Sequence, residues 1–308
     1  MRLATDHVRV RVPASSANLG PGFDTLGLAL ARYDELELFA LANTSVRVRV
    51  SGEGAATAPD DDHLVITVLR RALDLVGAPQ MGFDLVCENR IPHGRGLGSS
   101  AAAVVAGIVL ARTLIAEPEA LSDEIALRLA CEFEGHPDNA APALLGGATI
   151  AWLSSGGARA VRYEVMSQLD PVVLIPTSQL VTRQARAALP TVVPHVDATH
   201  AAAHSALLVH AMSRDLTLLF EATEDRLHQQ YRAAVMPETF QLVRELRAEG
   251  VAATISGAGP SVLVLTHLAR SEQDLDICHR VVQQTVDHAH WRMLRPGVAV
   301  SGATGEQL

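Results

Sequence analysis

Ile91-Pro92-His93-Gly94-Arg95-Gly96-Leu97-Gly98-Ser99-Ser100-Ala101-Ala102-Ala103 carries the densest chemical information in the chain. Three glycines at alternate positions open backbone conformations that side chains forbid, so their amides can turn inward as an anion-binding nest. Ser99 and Ser100 stand where a run of small apolar residues begins, and that run reads as a helix from Ser99 to Ile115. Unpaired N–H groups and the positive end of a helix dipole favour phosphate at such a point. A hydroxyl there also suits Mg²⁺, a hard cation that prefers oxygen. Taken alone, a glycine loop is equally a plain turn into a capped helix. The Ser-Ser pair and the small residues behind it, which allow close packing, favour the phosphate reading. The G-x-G-x-x-G spacing of a dinucleotide site is absent.

Before this loop, His7 to Val12 alternates valine with basic residues and predicts a strand. Leu36 to Leu41, Ser45 to Val50 and Phe83 to Cys87 predict three more. Asp60, Asp61 and Asp62 precede a helical pattern from Leu64 to Val76, ended by Gly77, which reads as an acidic N-terminal cap. After the loop, Ser122 to Phe133 predicts a helix, and glycine pairs at 146–147 and 156–157 bracket a hairpin around Ile150 to Leu153. Pro171 to Ile175 is a fresh apolar strand, and a domain boundary is placed just before it, giving units 1–168 and 169–308. Helical patterns follow at Ala201–Met212, Leu216–Phe220, Phe240–Ala248 and Asp274–Ala289. Between the last two, Thr254-Ile255 and Ser261–Leu265 read as strand, turn and strand. Sheets and helices without regular βαβ alternation indicate the α+β class.

All 25 basic side chains are arginine; the chain has no lysine. That excludes a Walker A loop, a protein-kinase catalytic core and Schiff-base chemistry, each of which needs one. A formal net charge of -9 argues against nucleic acid as a partner. Cys87, Cys131 and Cys278 are too few and too scattered for a disulfide framework or a zinc motif. No apolar run is long enough to span a bilayer, and the N-terminus has no signal-like core, so a cytoplasmic enzyme without membrane partners is expected.

The loop resembles the phosphate-loop motif of the GHMP kinases, a superfamily of small-molecule kinases. Val12-Pro13-Ala14-Ser15-Ser16-Ala17-Asn18-Leu19-Gly20-Pro21-Gly22-Phe23-Asp24 resembles their N-terminal motif, and Ile255-Ser256-Gly257-Ala258-Gly259-Pro260-Ser261 their C-terminal glycine motif. The form of the first, together with Glu134-Gly135-His136-Pro137-Asp138-Asn139-Ala140-Ala141-Pro142, is similar to the branch that phosphorylates L-homoserine.

The resemblance implies two α+β domains. The N-terminal one would be like ribosomal protein S5 domain 2, the C-terminal one ferredoxin-like. ATP would lie on Pro92, His93, Gly94, Arg95, Gly96, Leu97, Gly98, Ser99 and Ser100, with His63 near the adenine. Ser100 and Glu132 would hold Mg²⁺, with Glu134 as the rival carboxylate. Asn18, Asp24, His136, Asn139, Thr182, Arg186 and Arg232 would line the amino-acid pocket, and Asn18, Asp24 and Asn139 would serve catalysis. Paired arginines suit a substrate carboxylate and an aspartate suits its ammonium. A homodimer is a family-level expectation. The alternatives are a GHMP kinase of threonine or mevalonate type, or a nucleotide-binding relative without activity.

Overall fold

The computed structural model describes residues 1–55 and 62–308. The first sheet opens with β1 (His7–Asn18), β2 (Gly22–Leu41) and β3 (Val46–Gly52). Helix α1 (Leu64–Leu75) carries the chain to β4 (Gly82–Asn89), which runs parallel to β3 and antiparallel to β2. Asp60 and Asp61 of the expected cap lie outside the described residues. The N-cap of α1 is His63, with no side-chain cap bond.

Helix α2 (Ser99–Leu114) follows the glycine loop and is apolar nearly all round. Such a helix must be covered on most sides, and α2 packs against β1, α1, α3 (Asp123–Glu134) and α4 (Ala140–Leu145). Ser122 caps α3 by accepting from Ile125 N, as its sequence position predicts. The hairpin β5 (Ala148–Ser154) and β6 (Gly157–Tyr163) joins this sheet through β2.

The second sheet begins at β7 (Leu169–Pro176). The chain then forms α5 (Thr182–Ala187), α6 (His195–Arg214), α7 (Leu219–Ala222), α8 (Gln229–Arg232) and α9 (Pro237–Ala248). β8 (Ala253–Ile255), β9 (Val262–His267), α10 (Ser271–Thr285) and β10 (Trp291–Leu294) complete the unit. Its strand order is β10-β7-β9-β8, all antiparallel, which is the ferredoxin-like arrangement. Finally β11 (Thr304–Gln307) returns to pair with β1 in the first sheet.

The second sheet is buried on both faces. Val172, Leu174, Val262 and Val264 face a core with Leu242, Leu246 and Val281. Val173, Ile175, Leu263 and Leu265 belong to the larger core that includes Leu208 and Met212 of α6. Double burial explains why β7 reads as an uninterrupted apolar run rather than an alternation.

Several boundaries differ from the sequence reading. β1 continues six residues past Val12 because its second half is buried on both sides and loses the alternation. β2 spans 20 residues, of which only the end was visible as a strand. The last helix stops at Thr285 rather than Ala289, since the chain must turn into β10, the edge partner of β7.

Candidate active site

Gly94, Gly96 and Gly98 all have positive φ, at 64°, 69° and 68°. A Cβ on Gly96 would stand 2.2 Å from Ser256 O, and one on Gly98 would stand 2.1 Å from Ser15 Oγ. These close approaches show the loop wedged between the two other glycine-bearing motifs. Ser256 Oγ donates to Gly96 O at 2.7 Å and meets Ser16 Oγ at 2.8 Å, while Ser15 N donates to Leu97 O at 3.1 Å. Gly98, the N-cap of α2, has no side chain to cap the helix, so the first-turn amides keep their capacity for an anion.

Upstream, Asp34 Oδ1 accepts from Arg90 N at 2.6 Å and Ile91 N at 2.8 Å, pinning the backbone just ahead of the loop. Burial pushes the Asp34 carboxyl above the ordinary aspartate value, against the lowering effect of those two bonds. Pro92 and Leu97 are buried and support the loop from behind. Arg95 turns to the C-terminal half, donating to Pro176 O and Thr177 O, both at 2.9 Å.

A cavity of about 510 Å³ unites the loop with residues from every other motif: Asn18, Glu134, His136, Asn139, Thr182, Arg186 and Arg232 all line it. A second cavity of about 360 Å³ shares Ser99 and Ser100 with the first and is lined by His63, His93, Leu36 and Cys87. Burial lowers the His63 pKa, with the His93 charge adding to it, and its buried Nδ1 has no partner.

Asn18, Leu19 and Asp24 are the non-glycine residues with positive φ among the described residues, at 69°, 52° and 52°. Such conformations persist only where surroundings enforce them. Asn18 Nδ2 donates to Gly257 O at 2.8 Å and its Oδ1 accepts from Asp24 N at 3.0 Å, tying the N-terminal motif to the C-terminal one. Asn139 Oδ1 accepts from Ser15 Oγ at 3.0 Å. His136 Nδ1 lies 2.5 Å from an oxygen of buried Asp138. Burial disfavours the charged imidazole, but Asp138 outweighs it and holds the His136 pKa above its ordinary value.

Arg186 forms a two-pronged contact with Asp24. Arg232 is buried, and burial, with the Arg186 charge next, brings its pKa down to about 10. The guanidinium carbons of Arg186 and Arg232 lie 5.7 and 5.5 Å from the centre of the Phe23 ring, within reach of a cation–π contact.

The two candidate glutamates are placed differently. Glu132 is exposed and directed to Arg71 at 3.2 Å, away from Ser100. Its rival Glu134 is the residue at the site, accepting from Ser100 Oγ at 2.5 Å. Two positions on α3 separate these glutamates, which rotates them about 200° apart around the helix axis. Burial raises the Glu134 pKa above the ordinary glutamate value.

Sequence reading missed Asp34, Ser15, Ser256 and His228. The serines lay inside quoted motifs, while Asp34 and His228 lie in segments with no motif. Elsewhere, and among the described residues, His200, His204 and Glu224 converge within 4.8 Å. Glu224 Oε1 is already held there by Arg226 at 2.8 Å. No described helix is long and apolar enough to cross a membrane.

A glycine loop opening a buried helix, on this pair of sheets, defines a GHMP-type small-molecule kinase. The family models for the GHMP kinases N terminal domain and C terminal domain match residues 63–147 and 203–286. The chain is 50% identical over 299 residues to a homoserine kinase of Streptomyces coelicolor, covering 96% of this chain and 94% of that one. It is 53% identical over 268 residues to a homoserine kinase of Streptomyces avermitilis, covering 86% and 88%. The homoserine kinase structure from Cytophaga hutchinsonii superposes with a TM-score of 0.81 at 25% identity over 98% of each chain. The chain belongs to the homoserine kinase family.

Proposed function

We propose that the chain transfers the γ-phosphoryl group of ATP to the hydroxyl of L-homoserine, giving O-phospho-L-homoserine for threonine biosynthesis. The observation that carries this reading is the single cavity in which the glycine loop meets Asn18, Asn139, Arg186 and Arg232. A phosphate cradle and a set of groups suited to a zwitterionic amino acid there face one space.

Phosphoryl transfer through a loose transition state depends on positioning and charge neutralisation more than on covalent chemistry. The loop amides and the start of α2 hold the phosphates. The nucleoside extends into the neighbouring cavity toward His63 and His93. Arg232 and Arg186 take the substrate carboxylate and Asp24 takes its ammonium, which fixes the amino acid and aims its side chain inward. Asn139 and His136 orient the hydroxyl, and the contact of His136 Nδ1 with Asp138 fixes the imidazole ring. Asn18 keeps Asp24 in its left-handed conformation.

Ser100 Oγ and the Glu134 carboxylate, 2.5 Å apart at the loop, are hard oxygen donors that fit Mg²⁺. When bound, the cation would neutralise charge on the phosphates.

A threonine-type substrate carries the same zwitterion with a secondary hydroxyl, whereas a mevalonate-type substrate has no ammonium for Asp24. A coupled assay of ADP release with homoserine, threonine and mevalonate separates these. Homoserine is expected to give the highest kcat/KM, and a preference for mevalonate would overturn the assignment. We also place the enzyme in the cytoplasm, as a homodimer, with units 1–168 and 169–308; β7 opening the second sheet at Leu169 supports that boundary, while β11 at the end of the second unit pairs back with β1 of the first.

A further inference from the structure

His228 is fully buried at the start of α8, one turn before Arg232. Its ring makes two hydrogen bonds of opposite sense, and the Asp225 carboxylate stands 3.8 Å from Nε2 on the donor side. Nε2 lies 2.8 Å from Gly20 O, and Nδ1 lies 3.1 Å from Arg232 Nη1. A carbonyl only accepts, so Nε2 carries the proton. A guanidinium only donates, so Nδ1 must present its lone pair. The surroundings therefore dictate one neutral tautomer. Arg232 Nη1 also donates to Gly257 O at 3.0 Å. With Nη1 held from two sides, the guanidinium is fixed about its terminal torsions, and its Nε is buried without a partner. The Phe23 ring, 5.2 Å from the His228 ring, closes the remaining side.

The backbone around His228 is fixed independently of the imidazole. The buried Asp225 carboxylate accepts from Leu227 N, His228 N and Gln229 N at 2.8, 3.1 and 2.8 Å. Arg232 N in turn donates to His228 O at 3.3 Å. The ring is thus not required to shape the turn, and its polar atoms serve Gly20 and Arg232.

We propose that His228 is a positioning residue: as the Nε2–H tautomer it bridges the Gly20 carbonyl of the substrate-side motif to Arg232, and holds the Arg232 guanidinium in the orientation that receives the substrate carboxylate. This rests on the reading of Arg232 as the carboxylate anchor. It goes further by making the orientation of Arg232 depend on an uncharged imidazole that does not touch substrate. An arginine free to rotate would lose much of the geometric advantage of a planar fork over a point charge.

The test is a steady-state comparison of His228→Phe, His228→Asn, Arg232→Lys and the double variant His228→Phe/Arg232→Lys, with melting temperature recorded for each. His228→Phe keeps a planar ring and deletes both polar atoms. It is expected to raise KM for homoserine about tenfold, the loss of one hydrogen bond to a charged group. KM for ATP should stay within about twofold. In His228→Asn the amide oxygen can reach the position of Nδ1, so much of the homoserine affinity should return. The double variant should be no worse than Arg232→Lys alone, because both changes disable one anchor. If His228→Phe does not fold, His228→Leu, which likewise deletes both polar atoms, carries the test by its separation of the two KM values. Additive losses in the double variant would overturn the inference, as would equal rises in both KM values or an unchanged KM for homoserine. If Arg232→Lys itself leaves KM for homoserine unchanged, the carboxylate reading fails, and that failure is distinct from the others.

Discussion

Arg186 and Asp24, 162 positions apart in sequence, face each other fork to fork: Nη1 donates to Oδ2 at 3.0 Å and Nη2 to Oδ1 at 2.7 Å. Each is about one-third exposed, at 35% and 34%, so the ion pair contributes only about 0–1 kcal/mol to stability. Its value lies in the juxtaposition. A cation and an anion side by side mirror a zwitterionic amino acid, whose carboxylate and ammonium can each take the partner of opposite sign.

Arg186→Ala is therefore expected to separate affinity from stability. KM for homoserine should rise at least about tenfold, the low end of what breaking a close charge pair costs, while the melting temperature changes little. Arg232→Lys should raise the same KM without affecting that for ATP. Measuring both KM values checks this. A fall in ATP affinity equal to that for homoserine would assign the arginines to the nucleotide.

Ser100→Ala and Glu134→Ala should each lower kcat by about 10²–10³, the usual effect of removing a charge-stabilising group from a transition state. Glu132→Ala, which disturbs only an exposed contact with Arg71, should keep near-normal turnover. The reverse ranking of the two glutamate variants would return the metal role to Glu132. Circular dichroism of each variant confirms that the loss is not one of folding.

Gly96→Val should abolish nucleotide binding. Gly96 sits at a φ of 69°, closed to a β-branched residue, and its new Cβ would meet Ser256 O at 2.2 Å. Calorimetric titration with a non-hydrolysable ATP analogue is the measurement, and unchanged affinity in a folded variant would remove the loop from the phosphate site.

What the sequence made legible follows from what kinds of signal are local. The glycine loop announced itself because positive φ at three alternate positions needs glycine, and a composition of that kind is visible without a structure. The alternation of Val8, Val10 and Val12 showed a strand with one wet face, whereas β11, every residue of it exposed, carries no apolar signal at all. Glu132 and Glu134 could not be separated from sequence, since both sit in the last turn of one helix and only the packing of α3 against α2 decides which faces Ser100. The salt bridge between Arg186 and Asp24 joins distant segments and left no trace in either. Arg186 and Arg232 themselves stood out among 25 arginines only through the family motifs.

Asp34 offers a test in which pH supplies the sign. Its carboxylate is buried, and burial holds its pKa above the unfolded value of about 4. The folded state then binds the proton more tightly than the unfolded state, so the ionised group costs stability. That cost is absent below the unfolded pKa, grows as pH rises toward the folded pKa, and is constant above it. Asp34→Asn removes the charge but keeps an oxygen for Arg90 N and Ile91 N. Its melting temperature relative to wild type should therefore improve from pH 4 to pH 7.5, and be no lower than wild type at the upper end. Asp34→Leu removes the acceptor as well. Leaving buried N–H groups unpaired costs about 1–3 kcal/mol each, so this variant should be destabilised at every pH. Because those amides lie directly ahead of Pro92 and the loop, it should also raise KM for ATP more than KM for homoserine. Thermal melts of the three proteins across that range decide the matter: an Asn variant that loses ground to wild type as pH rises would show that the charge of Asp34, not its oxygen, is what holds the loop.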